Sequence, residues 1–483
     1  MQDLETLREG GYKSAGLTKL KLSCPLDAFP SEILELGDTL EQLDLSGTGL
    51  SSLPPAIGAK LPNLRVAFFS QCGFGAFPRE LASCPRLEMV AFRGNGMAAV
   101  PEDALPPRLR WLILTDNRIE ALPRSIGRCT RLQKCMLAGN RLRALPAEMR
   151  ACERLALLRL SSNRLEELPE WLFEMPELAF LSFAGNPCST PGTPASLVNG
   201  NVNGIKTNEE SNAVAATVAE AAARLARVPW SHLEVHHTLG EGASGIISKG
   251  VWQAPDGLTG EEVAIKLFKG ALTSDGAPED EMAACISAGR HDNIIDVLGR
   301  VHDHPDEAEG EFRGGLVMQL VPPHYRTLGG PPSLQTCTRD CYPEDARLSV
   351  PSAMGVLEGV AAAAGHLHEN GVAHGDLYAH NILHTEDGHA LLGDFGAATV
   401  HGGVAGPPDL LERLEVLAFA HLIEDVMGLV EPASEAEKQV VEQLGALHRK
   451  CSVKTVSARP TFADVIGELK KVDGSRDSAR LPN

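Results

Sequence analysis

Four short fragments bring together side chains that could do chemistry on a phosphate. They are Gly-Glu-Gly-Ala-Ser-Gly at 240–245, Val-Ala-Ile-Lys at 263–266, His-Gly-Asp-Leu-Tyr-Ala-His-Asn at 374–381 and Asp-Phe-Gly at 394–396. Glycines let backbone N–H groups approach phosphate oxygens, and Lys266 ends an apolar strand with a cation. The Asn381 amide and the Asp394 carboxylate are hard oxygen donors of the kind Mg²⁺ selects. Each fragment alone is weak, whereas their order along one chain is a specific signal.

The ordered set resembles the protein kinase signature, and the resemblance implies a role for each matched residue. Gly240, Gly242 and Gly245 would cover ATP together with Ile247 and Ala264, while Lys266 would hold the α- and β-phosphates. Kinases pair that lysine with a carboxylate on the following helix. Glu281 is the choice because His291-Asp292-Asn293-Ile294-Ile295 matches the turn that ends this helix, with Asp280 and Glu279 as alternatives. Leu316-Val317-Met318-Gln319-Leu320-Val321 resembles the strand that leads into the hinge. Met318 would then line the back of the adenine pocket, the backbone around Leu320 would face the adenine edge, and Leu383 would form the floor. Asp376 would orient and deprotonate the acceptor hydroxyl, and Asn381 and Asp394 would ligate Mg²⁺. ATP and Mg²⁺ are the implied cofactors.

The departures from that pattern fall around the transfer step. Gly375 stands where the family carries an arginine, which removes the cation that pairs with a phosphorylated activation loop. Tyr378 stands where serine/threonine kinases carry a lysine that stabilises the transferred phosphate, with His380 as a substitute cation. From Asp394 to Glu415, the best match for the aspartate of the following helix, is only 21 positions, with no Ala-Pro-Glu between. Arg459-Pro460-Thr461-Phe462 resembles the terminal landmark of the family, and Glu412 is a candidate partner for its arginine. Residues 322–347 form an insertion of unknown role.

The elements that must position these side chains are a strand, turn and strand around the glycines, an apolar strand ending at Lys266, and an amphipathic helix of small residues from Ser352 to Glu369. Upstream the pattern changes entirely. From Leu17 a motif of the form L-x-x-L-x-L-x-x-N-x-L-x-x-L-P restarts at Leu40, Leu64, Leu87, Leu109, Leu132, Leu155 and Leu178, a period of 22 to 24 residues. That period and consensus are those of leucine-rich repeats, in which short strands stack and each asparagine hydrogen-bonds backbone in the next turn. Asn95, Asn117, Asn140, Asn163 and Asn186 hold that position, whereas Pro25, Thr48 and Cys72 replace it earlier, predicting a less regular N-terminal end.

Strand residues between the leucines face the concave side, because side chains alternate with period two. Phe68, Met89, Trp111, Ile113, Met136 and Leu157 make the middle of that strip apolar and mark it as a partner-binding face for a protein substrate or regulator. The alternative is that the chain's own second domain covers it.

At 483 residues with 43% hydrophobic and 22% charged residues, the chain is expected to fold as two or three domains. A net charge of −19 argues against nucleic acid as a partner. No apolar stretch is long enough for a membrane span, and the charged start predicts no signal peptide. Eleven cysteines, an odd number, fit reduced thiols and a cytoplasmic location; Cys84, Cys129 and Cys152 recur three residues before a repeat leucine and read as core positions.

With the catalytic loop and the Pro322-Pro323-His324 hinge exit, the solenoid makes the chain resemble cytoplasmic leucine-rich-repeat protein kinases of bacterial and plant type. The expected fold is two-domain α/β: a cap (1–16), a leucine-rich-repeat solenoid (17–188), a linker and an alanine-rich helix (189–227), a bilobal α+β protein-kinase-like domain (228–475) and a tail (476–483). The expected function is an ATP- and Mg²⁺-dependent protein kinase of the serine/threonine type. A pseudokinase or nucleotide-binding scaffold is the alternative.

Overall fold

The computed structural model describes residues 3–13, 15–189, 225–242, 244–253, 260–269, 272–273, 275–307, 314–401 and 408–478. The chain divides into two compact units, Met1–Leu178 and Ala179–Asn483. The expected tail beyond 478 and residues 190–224, with most of the expected linker and helix, lie outside the described residues.

The first unit opens with helix α1 (Leu4–Arg8), capped by the Asp3 carboxylate on the Thr6 N–H at 2.7 Å. Seven three-residue strands follow: β1 (Lys19–Lys21), β2 (Gln42–Asp44), β3 (Val66–Phe68), β4 (Met89–Ala91), β5 (Trp111–Ile113), β6 (Lys134–Met136) and β7 (Leu157–Arg159). They pair in parallel with an unbroken register, Leu20 beside Leu43, Ala67, Val90, Leu112, Cys135 and Leu158 in succession. These central residues are buried, so each strand carries one core side chain between two that face the other way. A short helix α2 (Ile57–Lys60) and 3₁₀ turns lie between the strands.

Asparagines tie the turns together. The Asn140 amide nitrogen donates to the carbonyls of Leu114 and Leu137, both at 2.9 Å, while its oxygen accepts the Ile119 N–H at 3.1 Å. Asn117 and Asn163 repeat this pattern one period either side. The expected irregularity at the N-terminal end does not appear in the strand register. The Thr48 hydroxyl donates to the Leu45 carbonyl at 2.7 Å and the Cys72 thiol to the same carbonyl at 3.2 Å, so shorter donors do the work of the amide. Cys84, Cys129 and Cys152 are buried, and burial pushes the Cys84 and Cys152 thiols up to about 12.

The second unit starts with strand β8 (Phe180–Ser182) and resumes at β9 (Ala226–Pro229). Ala226 and Arg227, expected at the end of a helix, are strand instead, because they pair in parallel with Gly299 and Arg300 at the sheet edge. Next come β10 (Leu233–Glu241), β11 (Gly245–Gln253), β12 (Gly260–Phe268), helix α3 (Pro278–Ala288), β13 (Val297–His302) and β14 (Gly315–Gln319). The sheet order is β10-β11-β12-β14-β13-β9, with Val228, Val263, Ile265, Val301 and Val317 as its core.

The helical part of the unit follows a short strand β15 (Arg326–Thr327). Helix α4 (Val350–Glu369) is capped by the Ser349 hydroxyl on the Ser352 N–H and ends before Gly371, whose φ of +67° suits only glycine well. It packs an almost unbroken apolar side into the core, which anchors the loop that follows. That loop lies between β16 (Val372–Ala373) and the hairpin of β17 (Ile382–His384) and β18 (Ala390–Leu392). Strand β19 (Thr399–Val400) pairs back on β16, and α5 (Pro408–Gly428), α6 (Glu435–Cys451) and α7 (Phe462–Ser478) complete the unit.

Candidate active site

A cavity of about 240 Å³ opens in the second unit. Gly242, Gly245, Ile247, Lys266, Glu281, Met318 and Asp394, all expected at the site, line it. Gly240, Ala264, Leu320 and Leu383 are not part of that lining. Ala264 lies buried directly across the sheet from Met318, and Leu383 lies on β17. Cys285, Ile295, Val297 and Phe395, none of them given a site role from the sequence, add apolar wall, and Thr273 and Asp275 add polar rim.

The glycines do different jobs. A Cβ on Gly245 would lie 2.3 Å from the Leu267 carbonyl oxygen, so this glycine is needed for strand packing. Gly240 and Gly242 face open space, which is the arrangement a backbone needs to approach a ligand.

Lys266 projects from β12, opposite Ile247 and Leu316, and forms an ion pair with Glu281 on α3. Both are buried, and Glu281, not Asp280 or Glu279, is the partner. Burial works against the Lys266 ammonium, yet the charge of Glu281, with Asp394 behind it, holds it above the usual lysine range. The site therefore keeps a fixed cation beside the cavity.

Below it, the loop 374–381 is ordered by its own polar groups. His374, fully buried, donates through Nε2 to the Gly393 carbonyl at 3.0 Å and accepts the Asp376 N–H at 3.3 Å. The Asn381 amide nitrogen donates to the Asp376 carboxylate and to its carbonyl, both at 2.9 Å. That orients the amide and leaves its oxygen as the donor for a cation. Asp394 adopts φ +53°, and its carboxylate accepts the Gly396 N–H at 3.1 Å. One carboxylate and one amide oxygen suit Mg²⁺, which commonly completes its shell with water and substrate phosphate. Among the described residues no cluster of three or more His, Cys, Asp or Glu could hold a metal unaided.

Glu415, the expected match for the helix aspartate, lies on α5. Its carboxylate accepts the Gly375 N–H and meets His368 Nε2 at 2.7 Å. Burial opposes its charge, but His368, then His374 and the Gly375 N–H, hold Glu415 below the usual carboxylate range. At the far end Arg459, buried, donates to the carbonyls of Val453 and Arg413, while Glu412 accepts the Phe462 N–H at 2.6 Å.

A polar cluster that the motifs alone did not reveal sits around the loop. Asp340, in the 322–347 insertion, accepts the Ala379 N–H at 2.5 Å and meets His380 Nδ1 at 2.7 Å. Arg339 and Tyr342 clamp that insertion to Asp425 on α5, and Arg339 also meets Glu424. Burial pulls His380 down, but Asp340, then Asp376 and Asp394, raise it above the ordinary histidine value. The signal was present only as an acidic residue in a segment with no motif.

The family model for protein tyrosine and serine/threonine kinases matches residues 233–402. The second unit carries a protein kinase domain. Sequence similarity extends to fibroblast growth factor receptor 1 of Pleurodeles waltl, 26% identical over 284 residues, 48% of this chain and 34% of the receptor. It extends also to the hormonally up-regulated neu tumor-associated kinase of Mus musculus, 30% identical over 255 residues, 46% of this chain and 31% of that protein. Serine/threonine-protein kinase PknA of Mycobacterium tuberculosis is 32% identical over 152 residues, 31% of this chain and 32% of that kinase. The chain thus spans about a third of the length of these curated relatives. A kinase domain implies use of ATP and a divalent metal.

In the first unit, Phe68, Trp111, Ile113 and Met136 are half-buried, and Met89 and Leu157 are buried. The expected apolar strip is thus less open than its composition suggests. The Lys134 ammonium lies 4.5 Å from the Trp111 ring centroid, a cation–π contact along the strip. Among the described residues no helix is long and apolar enough to cross a membrane.

Proposed function

We propose that the chain is an ATP- and Mg²⁺-dependent protein kinase acting on serine or threonine. The observation that carries this reading is the conjunction of the Asp376–Asn381 hydrogen bond with the buried Lys266–Glu281 pair in one kinase domain. Lys266 would bind the α- and β-phosphates under the backbone of Gly240 and Gly242, with Ile247, Ala264, Met318, Leu320 and Leu383 around the adenine. Asp394 and Asn381 would hold Mg²⁺, which supplies charge neutralisation on the phosphates when bound. Asp376 would take the proton of the acceptor hydroxyl as its oxygen bonds to the terminal phosphorus and the bond to ADP breaks.

In this reading residues 17 to about 188 are a leucine-rich-repeat solenoid behind a cap, joined by a linker to a kinase domain at 228–475. The solenoid's strip of Phe68, Met89, Trp111, Ile113, Met136 and Leu157 recruits a protein substrate or regulator. Free cysteines throughout support a cytoplasmic location.

A specific observation favours a second reading, a nucleotide-binding scaffold: Tyr378, in place of the phosphate-stabilising lysine, is buried. Purified protein incubated with labelled ATP and Mg²⁺, beside Lys266→Met and Asp376→Ala, separates the two. Transfer onto a serine or threonine acceptor that both variants lose supports the kinase. Nucleotide binding with no transfer by the wild type supports the scaffold. Trp111→Asp and Phe68→Asp should lower phosphorylation of a folded protein substrate and leave a short peptide substrate unaffected.

A further inference from the structure

The replacement of arginine by Gly375 has a local physical cause. Gly375 adopts φ +71°, and a Cβ there would lie 2.7 Å from the Ala397 carbonyl oxygen and 2.8 Å from that of Leu181. No side chain fits between those oxygens. The Leu181 carbonyl belongs to β8, the first strand of the second unit, so the catalytic loop is shaped to receive that strand.

The same strand meets the loop again at Tyr378. The Phe180 ring stacks face to face on Tyr378, with centroids 3.9 Å apart and planes 8° from parallel, and Tyr378 stacks in turn on His380 at 5.1 Å. Three residues on, the Phe183 N–H donates to the Thr399 hydroxyl at 3.1 Å, on the strand that leads out of Asp-Phe-Gly. Phe180, Phe183 and Tyr378 are all buried. One segment thus touches two of the departures from the kinase pattern, Gly375 and Tyr378, and also the start of the activation segment.

We propose that the Phe180–Phe183 segment is a built-in brace of the catalytic loop, with Phe180 a positioning residue for phosphotransfer. It holds mechanically what an arginine paired with a phosphorylated activation segment would hold electrostatically. This rests on the kinase reading above. Full burial on both sides of the contact and a backbone approach that excludes even a methyl group describe a fixed support, not a plug that leaves and returns.

The full chain tests it. Phe180→Leu keeps apolar volume and removes the flat ring, Phe180→Tyr restores the ring, and Thr399→Val removes the acceptor of the Phe183 N–H. Phosphotransfer, affinity for ATP and hydrogen exchange of residues 374–381 are measured on each, after phosphatase treatment. Phe180→Leu should lower kcat about tenfold, with KM for ATP unchanged, and raise exchange in the loop; Phe180→Tyr should recover both. A kcat for Phe180→Leu equal to or above that of the wild type, or loop exchange unchanged by it, overturns the brace. A wild type that binds ATP and transfers nothing overturns the kinase reading, while the exchange measurement still decides for or against the brace.

Discussion

The two units hold their shape in opposite ways. In the first, each strand pairs in parallel with the next in one register, and Asn117, Asn140 and Asn163 make the same bonds one period apart. In the second, the groups that matter come from far apart in the chain and meet once: Asp340 with His380, His368 with Glu415, Phe180 with Tyr378. A repeated solution makes positions interchangeable in cost, whereas a unique one gives each buried polar group its own penalty when a partner is lost.

The largest effect should therefore come from the second unit. Asp340→Ala strands the Ala379 N–H and leaves His380 without its carboxylate, and should cost about 3 kcal/mol in denaturant unfolding and most of the phosphotransfer. A loss confined to stability, with transfer unchanged at low temperature, would show that the insertion is scaffold only.

Next come the asparagines of the first unit. Asn117→Ala, Asn140→Ala and Asn163→Ala each leave buried carbonyls without a donor and should each cost about 2 kcal/mol, alike to within a measurement error of the melt. Widely different costs for the three would break the idea of equivalent repeats.

A comparable term in the second unit depends on pH. Burial, then the His368 charge, brings His401 down to about 4. A depressed histidine is neutral when folded, so its contribution is intact above the ordinary value near 6.5 and fades as pH falls from there toward 4. At pH 5 the loss relative to neutral pH is about 2 kcal/mol, and His401→Leu should remove that part of the acid sensitivity. Parallel pH–stability curves for the two proteins would contradict it.

The smallest effect belongs to an exposed pair. Lys438 and Glu435 on α6 meet at 3.1 Å in solvent, and Lys438→Ala should change stability by less than about 0.5 kcal/mol. A larger change would mean that solvent exposure does not separate the two kinds of contact.

The site was legible in the sequence where motif and geometry coincide. Of the residues expected there, Lys266 and Glu281 form an ion pair and line the cavity with Asp394, while Asp376 and Asn381 share a hydrogen bond outside that lining. Glu415 was expected to take the helix aspartate's position and accepts the Gly375 N–H. The expected irregularity of the N-terminal repeats does not appear in the strand register, and the end of the expected helix, Ala226 and Arg227, is strand. The first expectation underrated a hydroxyl and a thiol as donors, and the second let alanine propensity outweigh an open sheet edge.

What the sequence by itself determined is what short-range order encodes: the 22 to 24 residue period, because each repeat is one strand and one turn, and the kinase fragments, whose chemistry dictates residue type at fixed spacing. Only the tertiary structure decided why Gly375 is glycine, what Asp340 is for, and that Phe180, expected among repeat strands, belongs against Tyr378. Those contacts join residues 22 to 198 positions apart, and nothing in local composition records which distant backbone oxygen or ring will fill a given space.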